Sequence, residues 1–93
     1  MPVLKNASVS VTTTATRLVD GNPNRTLLSV TNVGVDTVYM GASDVSSTAF
    51  VIPLDPDENV QLFFDGVDRS AVARWFGVSA SGTVLVSVGE VVA

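Results

Sequence analysis

GTVLVSVGEVV, residues 82–92, is the stretch on which the reading of the fold turns. Val84, Val86 and Val88 recur at every second position, the period of a strand with one face buried, whereas a helix spaces its apolar residues three and four apart. β-branched side chains suit that pleated, half-buried surface. The alternation returns upstream in ASVSVTTT (7–14), TLLSVTN (26–32) and NVQLFFD (59–65); DTVYMG (36–41), AFVIPL (49–54) and AVARWFGVSA (71–80) read as further strands, and helix formers are sparse throughout. The chain is therefore expected to be all-β: a single small antiparallel β-sandwich, jelly-roll-like, over residues 1–93, with 1–6 as an N-terminal arm.

Turn signals separate the strands. DGNPN (20–24), DPDEN (55–59) and DGVDRS (65–70) combine Gly, Pro, Asn and Asp, which favour tight backbone geometry. The short Val33-Gly34-Val35 link predicts a hairpin between 26–32 and 36–41, and Ser81-Gly82 a second one between 71–80 and 82–92. Pro53 assigns the 49–54 strand to an edge or a strand end. The stretch TVYMGASDVSSTAF (37–50) reads as a corner, in which Gly41 permits a tight backbone and Asp44 and the serines bond it locally.

Composition excludes several functions. Charged residues are 15% of the chain, against ~25% in typical soluble domains, so uncharged surface must exist and an oligomer or a bound partner is favoured. The net charge is -4, and Lys5, Arg17, Arg25, Arg69 and Arg74 are scattered singly, which argues against nucleic acid. Without Cys there is no disulfide or thiolate metal site, and without His no imidazole base, so an enzyme is not expected. No run approaches the ~18 to 20 apolar residues of a membrane span, and the protein is expected to be made and used without secretion.

The remaining motifs have bland readings that outweigh the functional ones. Asp55, Asp57 and Glu58 could hold a hard cation, but they lack the spaced ligands of a calcium loop and read as a solvated turn; no metal and no cofactor is expected. Asp44-Val45-Ser46-Ser47 has its third would-be ligand, Thr48, out of step, and Ser43 has no partner base. Asn6-Ala7-Ser8 and Asn24-Arg25-Thr26 match the short glycosylation pattern by chance. Trp75, Phe76, Tyr39, Phe63 and Phe64 could line a sugar platform, yet a domain with so few aromatics needs them in its core.

Residues 15–88 resemble small phage virion proteins of the head-decoration or head-fibre type. The matching residues are Arg25-Thr26-Leu27-Leu28, Val30-Thr31-Asn32, and Val38-Tyr39-Met40-Gly41 with Ser43 and Val45 following. Trp75-Phe76-Gly77-Val78 leading to Gly82-Thr83-Val84 completes the set. The chain departs from the family pattern at Thr48-Ala49-Phe50, where a Gly is usual. The resemblance implies a capsid decoration protein, often a homotrimer, that binds the major capsid protein on the virion exterior after synthesis in the host cytoplasm, with no catalytic residues. The alternative function is a carbohydrate- or receptor-binding module of a tail fibre or adhesin. Period two places Leu27, Phe63 and Leu85 opposite the core residues of their strands, which makes them the candidate interface.

Overall fold

The computed structural model describes residues 2–64 and 70–93. Eight strands follow in chain order among them: β1 Val3–Val11, β2 Thr16–Val19, β3 Arg25–Asn32, β4 Val38–Gly41, β5 Ile52–Leu54, β6 Asn59–Phe63, β7 Trp75–Ser79 and β8 Val84–Val92. A 3-10 turn at Ser70–Val72 is the only helical element among the described residues. The strands form two antiparallel four-stranded sheets, the first in the order β1-β8-β3-β6 and the second in the order β2-β7-β4-β5. Eight strands so divided, with the chain passing from one layer to the other, make a jelly roll, and the expected all-β sandwich is the observed fold.

The period-two pattern points one set of side chains from each sheet into a shared core. Val11, Leu28, Val30, Val84 and Val86 enter from the first sheet and Val38 and Met40 from the second, each at most 1% exposed. Leu18, Leu54 and Trp75 extend the cluster. Burial of each large side chain contributes about 1.5 to 3 kcal/mol. Gly77 fits between Leu18 and Val38 because a side chain there would press on both.

Two expected hairpins are absent. β3 and β4 lie in different sheets, as do β7 and β8, so Val33-Gly34-Val35 and Ser81-Gly82 are corners between layers. Alternation could not distinguish these cases, since an inward face meets the same core from either layer. The first corner is held by Asn32, which is fully buried: its Nδ2 donates to the carbonyls of Asp36 (2.8 Å) and Leu54 (2.9 Å), and its Oδ1 accepts from the Gly34 N–H at 2.9 Å. Gly34 runs so close to β8 that a Cβ would stand 2.6 Å from Val84 Cγ1. At the second corner Gly82 adopts φ 66°, a left-handed conformation that glycine takes without strain.

Boundaries also shift. Residues 3–6, expected as an arm, are the first part of β1, paired to residues 89–92 of β8. β2 was not foreseen; the 71–80 strand shortens to β7, and the 49–54 strand to β5, which Pro53 does place at a sheet edge.

The end of the sandwich near the second half of β8 is closed by Arg25, 1% exposed. Its Nη1 donates to the carbonyls of Ala71 (3.0 Å) and Ala73 (3.1 Å), and its Nη2 to the carbonyl of Asp20 and to Glu90 Oε1, the latter at 3.2 Å. The Nε has no partner, a cost of about 1 to 3 kcal/mol that the four other bonds must offset. We predict that Arg25→Ala lowers unfolding free energy by about 3 to 5 kcal/mol, because the Glu90 carboxylate and three carbonyls stay enclosed without their donor. Chemical denaturation measures this, and a loss under about 1 kcal/mol would show that the carbonyls reach water without it.

Candidate interaction surface

The two sheets present different outer faces, and the difference follows from the loop between β4 and β5. That loop folds back over the second sheet. Val45 is buried against Gly41, where an added Cβ would lie 3.1 Å from Val45 Cγ2, and Phe50 packs on Tyr39 with ring centroids 4.8 Å apart. The loop fixes itself locally: Val45 N–H donates to the Ala42 carbonyl (3.0 Å), Ser46 and Ala49 exchange backbone bonds, and Ser46 Oγ accepts from the Ala49 N–H at 3.0 Å. Ser43, Asp44 and Ser47 are exposed with no base or cation beside them among the described residues, so GASDVSS is a clasp over its own sheet.

Among the described residues no comparable loop covers the first sheet. Its outward residues form cross-strand rows fixed by register. Leu4 on β1, Val91 on β8, Leu27 on β3 and Phe63 on β6 stand side by side in one apolar row. Phe63 is 60% and Leu4 75% exposed, whereas Leu27 and Val91 are half-buried by these neighbours. The next rows are Asn6, Gly89, Ser29 and Gln61, then Ser8, Ser87, Thr31 and Asn59. Beyond them Leu85 lies between Ser10 and Val33, both exposed. The polar rows partly satisfy themselves, since Asn59 Nδ2 donates to Ser29 Oγ and Thr31 Oγ1, both at 2.9 Å. No residue of these rows is charged.

The candidate interface residues thus separate. Leu27 and Phe63 are direct cross-strand partners, while Leu85 lies at the other end of the same face. Sequence phase found these three but not Leu4 and Val91, which join the row only through the β1–β8 register.

The other candidates disperse or are already engaged. Trp75 is 5% exposed, with Nε1 donating to the Ser70 carbonyl at 2.8 Å, and Phe63 faces out from the opposite sheet, so the aromatics form no common platform. A cleft of about 220 Å³ opens between the layers beside β1, with Leu18, Val19 and Val88 along it and Lys5 and Glu90 at its rim; Glu90 is taken by Arg25. In DPDE, Asp55 Oδ1 accepts from Thr37 Oγ1 (2.8 Å), Glu58 Oε1 accepts from the Asp55 N–H (2.7 Å), and Asp57 takes φ 67°. Those bonds make it a capped turn. Residues 65–69, read as a turn from sequence, lie outside the described residues.

Compared with protein-family models, with curated proteins and with solved structures, the chain gives no significant match. Fold and surface define the class: a small jelly-roll domain in which, among the described residues, one sheet has a covered outer face and the other an open outer face without charge.

Because the DPDE carboxylates already serve the turn, excess EDTA is expected to leave the melting temperature unchanged. A structural metal contributes several kcal/mol to folding, so a fall of more than about 10 °C on chelation would reveal one.

Proposed function

We propose that this chain is a structural virion protein that decorates and stabilises the outer surface of a bacteriophage capsid. The observation that carries the reading is the open outer face of the first sheet, free of charge and bearing large apolar side chains at both ends. Interface cores are depleted of charge in just this way, while ordinary solvent-facing sheets are not. The likeness of Arg25-Thr26-Leu27-Leu28, Val38-Tyr39-Met40-Gly41 and Trp75-Phe76-Gly77-Val78 to head-decoration proteins supports the major capsid protein as the proposed partner and a homotrimer as the proposed working form. On this reading the protein sits on the virion exterior, is made in the host cytoplasm, and has no catalytic role, cofactor, nucleic acid or membrane.

The energetics suit such a role. Leu4, Phe63 and Leu85, still 75%, 60% and 46% exposed, would each contribute about 1 to 2 kcal/mol on burial, and repeated attachment over a shell multiplies a modest affinity. The alternative, a carbohydrate- or receptor-binding module, requires aromatic faces that converge. Tyr39 and Phe50, tilted by 42° against each other, are the one aromatic pair in contact among the described residues.

Phe63→Ser with Leu85→Ser is expected to lower the sedimenting mass of the free protein threefold and to cut co-sedimentation with undecorated phage heads by more than about ten-fold, with the β-type spectrum retained. Wild-type protein that ignores heads and binds a glycan array consistently would transfer the function to the alternative.

A further inference from the structure

The four sheet edges meet solvent differently. β5 is three residues long and contains Pro53; β2 is four residues long, has a register shift and carries Arg17; β6 is five residues long. Shortness, proline, bulges and charge are the devices by which proteins keep an edge from recruiting another strand. β1 uses almost none of them. It runs for nine residues in unbroken register with β8, contains no proline, and has Lys5 as its single charge.

The free hydrogen-bonding groups of that edge can be assigned. The Leu85 carbonyl accepts from the Val33 N–H at 3.1 Å, so Leu85 and the other odd-numbered residues of β8 turn their backbone toward β3, and the even-numbered ones toward β1. In β1, Val3, Lys5, Ala7, Val9 and Val11 therefore bond β8. Leu4, Asn6, Ser8 and Ser10 direct both N–H and C=O away from the sheet.

We infer that β1 pairs antiparallel with β1 of a second copy of this chain, about a two-fold axis at Ala7, joining the two first sheets into one continuous sheet. This register sets Leu4 opposite the second copy's Ser10 and Asn6 opposite its Ser8, so every outward backbone group finds a partner, about eight inter-chain bonds in all. Ala7, the smallest side chain of the strand, meets its counterpart on the axis. Lys5 falls opposite Val9, so no like charges face each other. A second copy fits the electrostatics. Copies of a chain with net charge -4 repel, and β1 is a strand without a carboxylate, its nearest one, Glu90, being held by Arg25. The pairing also aligns the open faces: the row Phe63, Leu27, Val91, Leu4 continues across the second copy's Ser10 to its Leu85.

This contact is separate from the trimer of the proposed function, and one experiment tells them apart. Sedimentation velocity is run on the full chain and on Ser8→Pro, in which proline removes an N–H that only the second copy would use, a position an edge strand tolerates. The wild type should sediment at an even multiple of 9.7 kDa and the variant at half that mass, with the β-spectrum kept. The masses pass from six chains to three if the trimer also forms, and from two to one if it does not. An odd-numbered wild-type assembly, or a folded variant of undiminished mass, overturns the inference. Should the variant fail to fold, hydrogen exchange on the wild type decides: the Asn6, Ser8 and Ser10 amides should exchange at least about ten-fold more slowly at assembling concentrations than on dilution. Fast exchange at every concentration overturns it equally.

Discussion

The buried Arg25 guanidinium is the constraint around which one end of the sandwich is arranged. At that end polar backbone turns inward: the Asp20, Ala71 and Ala73 carbonyls all accept from one guanidinium. Those carbonyls belong to the loop after β2 and to the segment before β7, while Glu90 belongs to β8 and Arg25 itself to β3. One side chain thus joins both layers. Arginine can do this because its planar fork offers five donors. Asn32 has the same office at the corner near the start of β8, on a neutral scale, tying the β3–β4 corner to the end of β5.

These polar clamps explain how a chain with so few charges leaves one face empty of them. Of its cations, Arg25 is consumed inside, and Arg17 and Arg74 lie near Asp20 in exposed pairs worth at most about 1 kcal/mol. Asp44, Asp55, Asp57 and Glu58 sit in the loops that follow β4 and β5. The outer face of the first sheet is thus left with Ser, Thr, Asn, Gln and Gly between two apolar margins. Such a face repels neither a copy nor a neutral partner, and its exposed Phe63 and Leu4 disfavour leaving it wet.

What was legible in the sequence was the part that burial imposes. Val84, Val86 and Val88, like Leu28 and Val30, alternate because one side of each strand must be dry, and that alternation located the core and, by subtraction, the outward Leu27, Phe63 and Leu85. Layer membership was not legible. Strands in either sheet obey the same inward rule, so β3 with β4 and β7 with β8 looked like hairpins. β2 escaped because its bulge between Arg17 and Val19 puts Leu18 and Val19 side by side and breaks the period. The first residues of β1 escaped because Lys5 and Asn6 interrupt the apolar pattern at the rim of the sandwich, where strand pairing, and not core burial, fixes the backbone. Arg25 gave no signal, since an arginine before an apolar run is ordinarily exposed.

The topology also orders events in folding. β8, the last strand, lies between β1 and β3 in the first sheet, so the open face cannot exist until the end of the chain has arrived. Before then β1 has no partner strand in its sheet, although β3 and β6 can pair, and only β4 and β5 pair as consecutive strands. Non-local pairing of this kind is slow, because loop-closure entropy is lost before the contacts that reward it are made. During that interval β1 has two free edges. Once β8 docks, it occupies the edge of Val3, Lys5, Ala7, Val9 and Val11 and leaves the edge of Leu4, Asn6, Ser8 and Ser10. Placing β1 beside the final strand thus restricts its exposed backbone to one side of a completed sheet, where any further strand must meet a fixed register.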